Sequence, residues 1–464
     1  MTPRNTRRAL IAVAAAALVP SLFFAQQVTF KSGVDLVAVD TQVIDRDGQP
    51  IGNLTAANFE VWINGQPRTV VSADLIQYPT TAPRSLLLPA IETPDAITRS
   101  DLPEVAGRVI ILAVDEVSFS TFAMPPVVQT AKRFVSSLPA EDVVALYSYP
   151  FGGGKLDLTH FHNQVNLGLN RLQGVKQSPS GDLHLSPSEA IDIAANDASV
   201  LSSVYARECL VSVGSNCVDK DDVYSGGANR PVVQPDGTVT TLRNSTGGLG
   251  ATPRYNSSCM MNIKGQARDY ANYMELMSAE SFAGLQDLLQ GLATISGPKI
   301  VMLLSAGIVT SDRVGGRPDA TGMMNHAGQL AAAANASLYA LHVDGSFLDI
   351  NSAMGHQQTF NPCQTSMGGG LVSSSRDGDL AANGLQRIAA AAGGQYFRIT
   401  AGSGDSFFKR VLTETSAYYV LGVQPEPVDR DGRPHFIRVK TVDVKNPTLH
   451  FRTQVTIPKP NGGK

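Results

Sequence analysis

The chain reads as an α/β protein: a doubly wound, mostly parallel sheet lies between an N-terminal β module and C-terminal β strands. Three observations predict this. The run Val109-Ile110-Ile111-Leu112-Ala113-Val114 is a buried strand that stops on a carboxylate, Asp115. From there strands and helices alternate to residue 416, the rhythm of a parallel sheet. On both sides of that stretch the pattern is β alone.

The elements follow in order. Arg4, Arg7 and Arg8 precede an apolar run from Ala9 to Phe24, with Ala25 as the cleavage residue. That layout predicts a signal peptide over residues 1–25, and hence export to the periplasm, cell envelope or medium. Residues 30–80 read as β. Asp47-Gly48 marks a turn, Phe59-Glu60-Val61-Trp62-Ile63 a strand, and Asn64-Gly65 a hairpin. A small sandwich of immunoglobulin-like type fits, with Trp62 assigned to its core. Residues 81–107, rich in proline and polar residues, read as a linker.

Residues 108–416 carry the α/β rhythm. After the strand ending at Asp115, Val128, Ala131, Phe134, Val135 and Leu138 share one helical face. Val143 to Tyr149 and Lys299 to Leu304 are further buried strands, and Leu338 to Val343 another. Ala267 to Ile295 reads as a long amphipathic helix, and Leu385 to Ala392 as a helix stopped by Gly393-Gly394. Residues 178–266 interrupt the rhythm as a Ser-, Gly-, Asn- and Asp-rich insertion. Residues 417–457 are strands again, and we expect them to pack on the N-terminal module. Asp429-Arg430-Asp431-Gly432 repeats the Asp45-Arg46-Asp47-Gly48 sequence, a turn that needs glycine rather than a calcium loop.

Composition excludes several functions. The net charge is −3, with no long basic block, and it falls further once the leader's arginines are removed. That argues against nucleic acid as a partner, since such binding depends on neutralising phosphates. No later stretch approaches the ~18 apolar residues of a membrane span. The four cysteines, Cys209, Cys217, Cys259 and Cys363, suggest two disulfides in an exported chain. The short loop between Cys209 and Cys217 makes that pair the first expectation, leaving Cys259 with Cys363. His160 and His162 near Asp157 lack a third ligand for zinc. No convergent nucleophile, acid and base is evident, so no enzyme is expected.

The ordered segments resemble the bacterial family of von Willebrand factor A-related proteins first recognised in Acidobacteria. Val34-Asp35-Leu36-Val37 and Asn58-Phe59-Glu60-Val61 are similar to its N-terminal β module. Ile110 to Asp115 is similar to the first strand of the A domain, and Gly297 to Gly307 to its fourth strand and loop. Tyr418-Tyr419-Val420-Leu421-Gly422-Val423 completes the series. The resemblance implies a Rossmann-like A domain and, in members that keep the ligands, a divalent-ion adhesion site at the strand ends.

Here the ligand pattern is broken. Asp-x-Ser-x-Ser would need serines at Val117 and Phe119; Ser118 and Ser120 each fall one position late. Ala306 stands where a second aspartate belongs. The candidate ligands are therefore Asp115, Glu116, Ser118, Ser120 and Thr159, forming a degenerate site with at most weak affinity for Mg²⁺, Mn²⁺ or Ca²⁺. The expectation is an exported protein-binding or adhesion module without a cofactor, its protein partner unidentified. The alternatives are a metal-dependent envelope hydrolase and a structural envelope component.

Overall fold

The computed structural model describes residues 36–78, 107–149, 155–176, 183–213, 216–220, 230–233, 239–242, 258–295, 297–313, 315–344, 369–399, 404–451 and 453–459. The expected signal peptide, nearly all of the linker, and Cys363 lie outside these residues.

Four strands open the described chain: β1 (Val37–Ile44), β2 (Phe59–Ile63), β3 (Gln66–Arg68) and β4 (Val70–Gln77). The α/β region starts with β5 (Val109–Asp115), α1 (Met124–Ser137), β6 (Val143–Tyr149), β7 (Leu156–Thr159) and α2 (His162–Leu169). The insertion supplies α3 (Pro187–Ala194), α4 (Ala198–Glu208) and two hairpins. These are β8 (Leu210–Val213) with β9 (Asn216–Asp219), and β10 (Arg230–Val233) with β11 (Val239–Leu242). Then come α5 (Ser258–Leu292), β12 (Lys299–Ser305), α6 (Thr321–Ala333), β13 (Ala336–Val343), α7 (Gly369–Ala391), β14 (Tyr396–Ile399) and α8 (Asp405–Glu414). Strands β15 (Ala417–Val423), β16 (Pro434–Thr441), β17 (Thr448–Phe451) and β18 (Gln454–Thr456) complete it.

The central sheet has the order β14-β13-β12-β5-β6-β7. All its pairings are parallel except that of β6 with β7. Residues of β5 and β12 are buried throughout because helices cover both faces. One face packs Ile111, Ala113 and Leu303 against α5, α6 and α7. The other packs Ile110, Leu112 and Met302 against α1 and α8. At the amino end of the sheet, buried Arg108 grips buried Asp142 through paired hydrogen bonds.

The terminal strands form two four-stranded antiparallel sheets, β17-β1-β15-β4 and β18-β16-β2-β3. The C-terminal strands do more than pack on the N-terminal module. β1 lies between β15 and β17, and β2 pairs with β16, so each four-stranded sheet takes strands from both halves. Trp62 is not in the shared core. Phe59, Val61 and Ile63 point inward, and the period of two turns Glu60 and Trp62 outward. There Arg438 and Lys440 lie 5.9 and 5.3 Å from the indole ring. The Asp-x-Asp-Gly segments are turns: Asp45 accepts the N–H groups of Asp47 and Gln49, and Gly48 has φ +77°.

Within the insertion, α3, α4 and the first half of α5 share a core of their own, which includes Ile191, Val204, Met260 and Met274. Asn196, at φ +64°, and Asp197, which caps α4, separate α3 from α4. The disulfide joins Cys209 to Cys259, not to Cys217. In the β8–β9 hairpin Cys217 stands opposite Ser212, whereas the carbonyl of Cys209 meets the N–H of Lys220. Three strand residues of roughly 3.3 Å each separate those levels, beyond the ~7 Å that a disulfide can span.

Candidate functional site

The loops after β5 and β12 meet at the carboxyl edge of the parallel sheet, with His342 near the end of β13 beside them, where open α/β sheets bind ligands. Asp115, the last residue of β5, is at the centre and fully buried. Ser281 of α5 donates its hydroxyl to both carboxylate oxygens, at 3.0 and 3.1 Å. Ser305, the last residue of β12, donates to Oδ2 at 2.9 Å. Ser118 donates to the Asp115 carbonyl at 2.8 Å and accepts the Ala306 N–H at 2.8 Å. Burial pushes the Asp115 carboxyl up to about 7, and the Ser305, Ser281 and Ser118 hydrogen bonds offset only part of that rise.

The network continues across the sheet. The Ala306 carbonyl lies 3.1 Å from His342 Nε2, and Tyr396 Oη lies 2.8 Å from His342 Nδ1. A carbonyl can only accept, so Nε2 carries the proton and Nδ1 accepts from the tyrosine. Burial lowers the His342 pKa to about 4, so the ring is neutral in this arrangement. Tyr149 stands beside Asp115 in the β5–β6 ladder. Its buried hydroxyl has no hydrogen-bond partner among the described residues, and burial raises its pKa, with the Asp115 charge adding to the rise.

The predicted ligands separate into three groups. Asp115 and Ser118 belong to the network. Glu116 and Ser120 face the neighbouring loop: Glu116 Oε1 accepts the Gln173 N–H at 2.9 Å, and the Ser120 carbonyl accepts from Ala123. A Cβ on Gly174 would lie 2.2 Å from the Ser120 carbonyl, so this approach requires glycine. Thr159 is at the wrong end. β7 runs antiparallel, which sets Thr159 against Val144 and thus level with Ile110. Five residues, roughly 16 Å, separate it from Asp115 along the sheet. His162 is likewise engaged, its Nε2 lying 2.9 Å from the Asp142 carbonyl.

Sequence reasoning missed Ser281, His342 and Tyr149. A signal for the first existed: Met274, Ser278, Ser281 and Leu285 form one stripe of α5, and small hydroxyls on a buried stripe need partners. Ser278 donates to the Val309 carbonyl and Ser281 to Asp115.

These donors do not fit a divalent ion. The only carboxylate in the network is buried and engaged by two hydroxyls. Ser118 spends its proton and an acceptor site on backbone, and Ser305 also accepts the Gly307 N–H. Among the described residues no cluster of three His, Cys, Asp or Glu side chains could hold a metal. Among the described residues the edge exposes a large aromatic, Phe122, 93% accessible on the loop between β5 and α1. Its neighbours are fixed: Thr121 donates to the Gly174 carbonyl, and Phe119 is buried.

No family model matches the chain, and no curated protein matches it. Among solved structures it is similar to the human COPII-coat protein Sec24c, with 8% identity and a TM-score of 0.25. The match covers 76% of this chain and 44% of that one. Likeness of this degree carries no functional argument.

Proposed function

We propose that the chain is an exported von Willebrand factor A-like protein-binding module whose strand-end site is held together by hydroxyls in place of an ion. The supporting architecture is a mostly parallel six-stranded sheet with a carboxylate at the end of an inner strand. The observation that carries the reading is Phe122: a large aromatic exposed on a pinned loop at the ligand-binding edge. A rigid exposed aromatic costs little entropy to dock and is the residue type that dominates interface energetics. Asp115 is engaged by Ser281 and Ser305, and Ser118 by backbone groups, which leaves none of these three hydroxyls and no carboxylate of the network unengaged.

The test uses immobilised mature protein and envelope extract. Phe122→Ala should abolish capture of the partner while leaving the melting temperature unchanged, because the residue is 93% exposed. Undiminished capture by Phe122→Ala would sink the proposal.

A further inference from the structure

A cleft of about 350 Å³ opens between the loop that follows β12 and the helix α7. That volume is at the lower end of small-molecule sites. Its charged side chains are Asp312, Arg313, Asp319 and Arg387. Arg313 is committed to Asp192 and Asp197, and Asp312 to Arg376. Arg387, by contrast, has no hydrogen bond or ion pair among the described residues, although Asp319 is near enough to feel its charge. Asn383 lies one helical turn before Arg387 and also lines the cleft, on the same face of α7. Thr310, 2% exposed, completes the lining on the loop side, its hydroxyl oxygen buried away from the cleft and without a partner among the described residues.

The geometry points to a binding site for a small zwitterion of amino-acid type. Two cations and two anions make the cleft neutral overall, which disfavours a bare anion or a bare cation. The uncommitted cation is on the helix wall, and Asp319, which spends one oxygen on the Thr321 N–H, is on the loop wall. A carboxylate would take the Arg387 fork and the Asn383 amide, and an ammonium would meet Asp319. This site stands whether or not Phe122 anchors a protein partner.

Calorimetric titration of the mature protein with the free amino acids, with succinate and with ethanolamine tests it. At least one amino acid should bind saturably, and neither succinate nor ethanolamine should match it. Arg387→Gln and Asp319→Asn should each weaken that binding by about tenfold or more, as expected when one hydrogen bond to a charge is lost. Both exposed substitutions should leave the melting temperature unchanged, so that loss of binding is not loss of fold. Absence of binding by every amino acid overturns the inference, as does succinate binding as tightly, or binding that survives Arg387→Gln.

Discussion

Asp115 is a carboxyl group placed where charge is costly. Its folded pKa of about 7 exceeds its ordinary value of 3.8. The folded state therefore binds more protons than the unfolded state between those limits, and stability falls as pH rises through that window. The full cost, reached above pH 7, is about 4 kcal/mol at ~1.4 kcal/mol per unit. Asp115→Asn keeps an acceptor for Ser281 and Ser305 and removes the charge. It should stabilise the protein by about 2–4 kcal/mol at pH 8 and change little at pH 4, as read by denaturant unfolding. Equal effects at both pH values would exclude a raised pKa.

His342 has the opposite sign. Its pKa falls from 6.5 to about 4 on folding, so its contribution is present above pH 6.5 and lost as pH drops toward 4. His342→Gln should therefore cost less relative to wild type at pH 4 than at pH 7. The run up to Asp115 announces a strand end in the sequence, but its partners do not appear there. Ser281 and Ser305 are 166 and 190 residues away; the packing of α5 onto the sheet brings in the first and the pairing of β12 with β5 the second.

At the scale of elements, legibility follows local periodicity. The β5, β12 and β13 strands are continuous apolar runs, and the structure has them where the pattern puts them. The direction of β7 is a matter of loop length. The 150–155 connection has six residues, too few for the crossover a parallel strand needs, so β7 must return antiparallel and carry Thr159 away from Asp115. Trp62 illustrates a period-two error: the apolar side chains at 59, 61 and 63 already fix the inward face.

The insertion reads as largely irregular because Ser, Gly and Asn dominate it. Its helices gain their stability from tertiary contacts instead: a shared core, the Cys209–Cys259 disulfide, and Asp192 held between Arg313 and Arg376. The disulfide spans 50 residues of sequence. Replacing both cysteines with serine should destabilise this unit by about 3–4 kcal/mol. Hydrogen exchange should then show protection falling in α3 and α4 while β5 and β12 keep theirs. Uniform loss across the chain would contradict a separate unit.

At the scale of the molecule, the β module is built from both ends of the described chain. The Asp47-Gly48 and Asp431-Gly432 turns hint at related modules, but pairing across more than 350 residues is set by burial that no local pattern reveals. A chain ending at residue 416 should lose protection in β1 and β2, because their partner strands are gone.

On the reading proposed above, a carboxyl edge held by hydroxyls takes the place of an ion-dependent adhesion site. Calorimetry with Mg²⁺, Mn²⁺ and Ca²⁺ at pH 8, where Asp115 is mostly ionised, tests that most directly. Neither the wild type nor Asp115→Asn should show saturable binding. Micromolar binding by the wild type that disappears in Asp115→Asn would mean that the network opens to an ion, and would contradict an edge held by hydroxyls alone.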